Sequence, residues 1–392
     1  MKIANITSSN KNGKVTLSGQ LILESGKTHD VYFEVDKMFD GYLSKDAMPF
    51  FPLALPVSMS KRENLMIDDI SSRVVSKTSQ IMGILRSWNT GFSAISIQAE
   101  NFKKNVANAN NVGCFFSGGV DSFYTYLKNR EKINHLIFVH GFDISAQNTD
   151  FYKIVEKNIV QITEKEKVKL IKVKTNLRET LEQYFDWDMA HEFALASVSL
   201  FLSRGLGEVY MSCGQISIGA DHHYMTPQLD SLWSTETMKI NHYGCSADKI
   251  RKLKFLSKFS LAMRTLRVCW VNSHGQYNCC QCEKCFRNML ALYATNSLEK
   301  CKTFEKPIDT SKLKKIKVNP YVLRYFIAAL KVLKKKNDRS EIRYALEELV
   351  ENNWNPRALQ RLTGRLRAFV AQLDKTYNHH RLYWFLARRA LV

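Results

Sequence analysis

The chain predicts an α/β fold. A doubly wound parallel sheet is expected over its central half, with a β-rich or α+β segment before it and a basic helical segment after it. Two observations carry this. From Asn111 onward, short apolar runs alternate with helix-compatible runs, the pattern of βαβ units whose strands are covered on both faces. At the exit of the first apolar run stands SGGVDS, Ser117–Ser122, followed at once by a helical run. At 392 residues the chain is long for one core. Domains are therefore expected at about 1–108, 109–308 and 309–392.

Taken in order, residues 1 to about 105 hold short alternating runs such as KVTLSGQLIL and HDVYFEVD, separated by polar turns. Pro49, Pro52 and Pro56 are expected to break any regular element there. DDISSRVVSKTSQIMGILRSWN reads as one helix and FSAISIQAE as a further strand. The parallel strands are expected at GCFF (113–116), HLIFVHG (135–141), VKLIKVK (168–174) and EVYMSC (208–213). Helices DSFYTYLKNR, DFYKIVEKNIVQITEKEK and HEFALASVSLFLSRG fall between them. After Asp309 the pattern is helical throughout, with apolar residues three and four apart.

A strand, a glycine-rich turn and a helix start make a phosphate site. Gly118 and Gly119 allow a sharp turn and close backbone approach, and the amides of Val120, Asp121 and their neighbours point at the anion. Ser117 and Ser122 add hydroxyl donors, and Asp121 is expected to hold Mg²⁺ against the phosphate oxygens. On that reading Asp121→Asn spares the fold and abolishes turnover. No GxxxxGK[ST] is present, so this is not the P-loop of γ-phosphate transfer. His140 and Gly141 follow the second strand, where this fold meets adenine and ribose. His140 could equally be a strand-end histidine bonded to backbone.

Nine cysteines without a signal-peptide core argue for metal or redox chemistry over a disulfide framework, in a cytoplasmic protein. Cys269, Cys279, Cys282 and Cys285 form C…CxxCxxC, which suits a closed tetrahedral Zn²⁺ site. Cys280 could replace Cys279, and an iron–sulfur cluster or a redox pair could use the same thiols.

The loop Ser117–Ser122 resembles the PP-loop of N-type ATP pyrophosphatases, the adenine nucleotide alpha hydrolase-like fold. Together with Cys269–Trp270, Cys279, Cys282, Cys285 and Arg287, it makes residues 111–294 similar to the 7-cyano-7-deazaguanine synthase (QueC) family. The resemblance implies an ATP-dependent, AMP- and pyrophosphate-forming ligase that adenylates a heteroaromatic carboxylate for amide and then nitrile formation. Family members also serve in bacterial antiphage systems, where related chemistry attaches a deazaguanine to a protein. The long segments on either side of the resemblance, and the unusual stretch Gly214–Glu236, leave the acceptor open. A tRNA-modifying PP-loop enzyme and an ATP-sensing adaptor are the alternatives.

Adenylation needs cations around the five-coordinate phosphorus and the departing pyrophosphate. Lys249, Arg251, Arg264, Arg267 and Arg287 are the candidates, with Lys249 and Arg267 placed beside Ser117 and Asp121 as catalytic. Asp221, His222, His223, Asp230 and Glu236 are expected in a specificity loop, where Asp230 and Glu236 could hold the base ring or Mg²⁺. The formal charge is +20, and Ser311–Val392 carries 19 Lys/Arg against 6 Asp/Glu. That tail suits a tRNA or an acidic protein partner, with Arg357, Arg361, Arg365 and Arg367 sharing a helical face, or else it is a solvated surface. No apolar stretch approaches a membrane span.

Overall fold

The computed structural model describes residues 1–103, 109–214, 227–272 and 275–353. The chain divides into two compact units, Met1–Ile308 and Asp309–Val392.

The first unit is built on one ten-stranded, mostly parallel sheet. Its amino-terminal part runs β1 (Lys2–Lys11), β2 (Lys14–Ile22) and β3 (Thr28–Asp36), then α1 (Phe51–Lys61), β4 (Leu65–Ser71), α2 (Ser72–Val75), α3 (Thr78–Trp88) and β5 (Ile97–Lys103). In β2 half-buried and buried residues alternate along the strand, as its period-2 pattern requires. Two expectations fail here. The prolines do not abolish regular structure, because Pro52 lies in the first turn of α1, where its N–H would have no partner. Pro56 costs one further hydrogen bond, while the residues from Phe51 to Met59 are all buried. The long helix expected from Asp68 is instead the end of β4 followed by two helices, with the Ser71 side chain capping α2 by accepting from Val74 N.

The remainder alternates as the sequence suggests: β6 (Val112–Phe115), α4 (Val120–Lys128), β7 (His135–His140), α5 (Thr149–Glu166) and β8 (Lys169–Thr175). After α6 (Leu177–Leu181) and α7 (Trp187–Phe201) come β9 (Glu208–Ser212), α8 (Pro227–Leu232) and β10 (Lys239–Tyr243), the last a strand not foreseen. Helices α9 (Lys249–Leu256), α10 (Ser260–Thr265) and α11 (Glu283–Ala294) complete the unit. The strand order is β10-β9-β6-β7-β8-β3-β2-β1-β4-β5. Strands β10, β9, β6, β7 and β8 pair in parallel throughout. The chain moves outward from β6 through β7 to β8, then returns to place β9 on the other side of β6. The carboxyl end of β6 therefore lies at the topological switch, where open α/β sheets bind ligands.

The boundary expected near residue 108 does not separate two compact units. Strand β3 pairs antiparallel with β8, Phe33 opposite Thr175, and so extends the same sheet. Phe33 stacks on Phe201 of α7 with ring centroids 4.9 Å apart, and Phe51 meets Trp233 edge-on at 6.0 Å. Both halves feed one hydrophobic core. The extension also covers the edge that β8 would otherwise present to solvent.

The second unit contains α12 (Thr310–Lys315), α13 (Pro320–Lys335) and α14 (Glu341–Asn353) among its described residues. Asn319 caps α13 by accepting from Val322 N, with Pro320 in the first turn. Leu323, Phe326, Leu330, Leu346 and Leu349 supply the buried stripe. Arg357, Arg361, Arg365 and Arg367 lie outside the described residues. No helix among those described is long and apolar enough to cross a membrane.

Candidate functional site

Gly118 ends the strand-to-helix turn at φ +74°, a left-handed conformation that costs a side-chain-bearing residue about 1–2 kcal/mol. Gly119 is extended and precedes α4, and no side chain caps that helix. The first amides of α4, from Val120, Asp121 and Ser122, therefore open toward the switch crevice. Ser122 is turned back, its hydroxyl donating to the Gly119 carbonyl at 3.1 Å.

Asp121, in the first turn of α4, is gripped from α9. Lys249 Nζ donates to Oδ2 and Lys252 Nζ to Oδ1, each at 2.7 Å. Burial would raise this carboxyl, but Lys249 and Lys252 hold it far below the usual range. Lys252 is fully enclosed and also donates to the Cys213 carbonyl at 2.6 Å. Burial lowers its ammonium pKa, which Asp121 partly restores. The Asp121 carboxylate, where Mg²⁺ was expected, is bonded to a lysine at each oxygen. Asp121 positions two cations over the turn. Sequence reading missed Lys252, although its i, i+3 spacing from Lys249 puts both on one face of α9. Arg251 lies off that face, exposed, and pairs with Asp248 at 3.5 Å.

Arg267 closes the other side of the turn. Its backbone N donates to Gly118 O at 2.9 Å, and its buried guanidinium reaches Ser117 O at 3.4 Å and Cys269 O at 3.3 Å. The same group meets Asp143, beyond β7, at 3.4 Å. Burial would raise the Asp143 carboxyl, but Arg267 and then Lys284 hold it low. Arg267 thus ties the turn to the cysteine segment, and its charge is spent on that link.

The cysteine segment is a cage. The Sγ atoms of Cys269, Cys279, Cys282 and Cys285 all lie within 4.8 Å of one another, with Cys269–Cys282 at 3.8 Å and Cys279–Cys285 at 3.9 Å. Four sulfurs about 2.3 Å from a tetrahedral ion stand about 3.8 Å apart, so these residues could hold a metal such as zinc. Amides of Asn272, Cys282 and Cys285 donate to the sulfurs of Cys269, Cys279 and Cys282 at 3.2, 3.3 and 3.4 Å, which favours thiolates. Cys280 stands outside the cage, its Sγ directed to the Asn278 carbonyl.

Other expected site residues have different employment. His140 donates from Nε2 to Ser145 O at 2.9 Å and stacks on Tyr152, the backbone-bonded alternative. Gly141 holds φ +111°, and a Cβ there would meet Thr175 O at 2.0 Å. Gly141→Ala should therefore cost at least about 2 kcal/mol, read as a lower urea midpoint. Glu236 does not face a ligand: it accepts from Ser71 Oγ at 2.7 Å and Arg73 N at 2.8 Å, bracing the start of α2. Arg264 is exposed, and Arg287 pairs with Glu283 at 3.2 Å on α11. Asp230 is buried in α8 and bonded to His242 of β10. Burial and the facing Glu192 push its carboxyl up to about 8. Asp221, His222 and His223 lie outside the described residues.

Comparison with family models, with curated proteins and with solved structures finds no match for this chain.

Proposed function

We propose that the chain is a QueC-like ATP-dependent ligase of the PP-loop type, which adenylates a carboxylate such as a 7-deazaguanine acid and passes the acyl group to ammonia or an amine. The observation that carries this reading is the uncapped start of α4 after Gly118–Gly119, at the switch point, with Lys249 and Lys252 converging on its first turn. A carboxylate oxygen attacks the α phosphorus, the bond from that phosphorus to the bridging oxygen breaks, and pyrophosphate leaves into the α4 amides. The amine nitrogen then attacks the acyl carbon, AMP departs, and the nitrogen loses its proton to solvent. Ser117, Gly118, Gly119, Val120 and Ser122 cradle the pyrophosphate, Lys249 neutralises it, the enclosed Lys252 holds Asp121 in place, and Arg267 locks the turn. A Cys₄-bound zinc ion would supply structure only, since four thiolates leave no open position.

The test is product analysis with ATP and 7-carboxy-7-deazaguanine, with and without candidate protein or tRNA acceptors for the basic unit Asp309–Val392. AMP and pyrophosphate are expected, whereas ADP and phosphate would overturn the reading. Binding without turnover would point to an ATP-sensing adaptor. Retention of tRNA on a filter, steeply weakened between about 50 and 200 mM salt, would favour the tRNA-modifying alternative. Lys249→Gln leaves Lys252 on Asp121, so the fold should persist while pyrophosphate release falls about 10²–10³-fold. Unchanged release from that variant would remove Lys249 from the chemistry.

A further inference from the structure

Away from the cysteine cage, three elements bring together a second set of metal-ligating side chains. Glu192 of α7, Asp230 of α8 and His242 of β10 place one donor atom each within 4.8 Å of one another. All three are enclosed: Glu192 is 4% exposed and Asp230 0%, and the His242 side chain is 3% exposed. His242 Nδ1 is bonded to Asp230 Oδ2, which fixes the ring. Glu192 Oε2, Asp230 Oδ1 and His242 Nε2 have no hydrogen-bond partner among the described residues. One buried polar atom left without a partner costs about 1–3 kcal/mol, and more when charged. Two of these atoms are oxygens of carboxyl groups that face each other from α7 and α8.

We infer that Glu192, Asp230 and His242 bind a divalent zinc ion at a site separate from the four cysteines. A cation on His242 Nδ1, in place of the bond to Asp230 Oδ2, would take one oxygen from each of Glu192 and Asp230 and offset two facing carboxylates. Ligands about 2.1 Å from a tetrahedral ion stand about 3.4 Å apart, so donors within 4.8 Å of one another need shift by about 1 Å, the Asp230–His242 pair parting to admit the ion. One imidazole with two carboxylates favours Zn²⁺ over Mg²⁺ or Ca²⁺, which prefer oxygen alone. His242 also lies within 4.8 Å of the sulfurs of Cys213 and Cys245, but these form a disulfide and offer no thiolate. The ion braces α8 against β10, and hence the segment that follows the undescribed residues 215–226.

The experiment is elemental analysis of the full chain after loading with Zn²⁺ alone and exhaustive dialysis, with X-ray absorption at the zinc edge. Wild type should hold two zinc ions per chain with a mixed sulfur and nitrogen/oxygen shell. Asp230→Asn and His242→Gln should each hold one, in a sulfur-only shell. Cys245→Ser should keep two. A sulfur-only shell in wild type overturns the site without needing any variant to fold. So does full zinc content in His242→Gln, and so does loss of one ion in Cys245→Ser, which would move the ligand set to the cysteines. Because the readout is metal content and ligand type, failure of the ligase reading would leave this result standing.

Discussion

Asp121→Asn should lose about 3–5 kcal/mol of folding stability and, on the proposed ligase reading, all measurable pyrophosphate release. The magnitude follows from what remains behind. Lys252 is wholly enclosed, with the Asp121 carboxylate and the Cys213 carbonyl as its polar contacts. Removing the carboxylate strands a buried ammonium, the expensive way to break an ion pair. Sequence reading, which put Mg²⁺ on Asp121, expects the same variant to fold normally, so a urea titration separates the two accounts. A double variant, Asp121→Asn with Lys252→Met, should recover much of the stability and none of the turnover. If the single variant unfolds at the wild-type midpoint, the lysine clamp is energetically unimportant. The pH dependence has a definite sign. The native carboxyl lies below its unfolded value of about 3.9, so the stabilisation is complete above roughly pH 5. It declines as pH falls past the unfolded value and is lost below the depressed native one.

Stripping a metal held by the four cysteines should be at least as damaging. Structural zinc contributes about 10–16 kcal/mol in small zinc-dependent domains, because the ligand cage scarcely exists without it. In this chain the cage is continuous with Arg267, whose backbone and guanidinium hold Gly118 and Ser117. Chelation should therefore lower the melting temperature and, on the proposed reading, weaken ATP binding with it, and Cys282→Ser should do the same. Calorimetry with and without chelator, paired with a nucleotide titration, reads both. A metal-free chain that melts as the wild type does would end the structural role. Iron with visible absorbance would replace zinc as the metal.

The sites differ in how far local pattern exposes them. SGGVDS is legible because its physics is contained in six consecutive residues and the elements on either side. The cage is legible because three of its four thiols come from overlapping CxxC turns, which leave out Cys280 once the backbone is folded. Lys252 was within reach of helical spacing and was overlooked beside Arg251. Glu192, Asp230 and His242 carry no such signal, since they come from a helix, another helix and a strand spread over fifty residues of sequence. Their meeting depends on β10 lying beside β9 and α8 packing on it.

The sequence by itself determined the α/β alternation, the place of the Gly118–Gly119 turn at the end of β6, and the four cysteines that share a cage. These rest on periodicity and short spacings, which act within a few residues. Only the tertiary structure decided that the first hundred residues join the same sheet, that Asp121 meets two lysines, and that Arg267 is spent on locking the turn. Those outcomes depend on strand order and on which buried charges face one another. Contacts of that kind are settled by burying apolar faces and pairing charges across the whole unit, and no local run of residues encodes them.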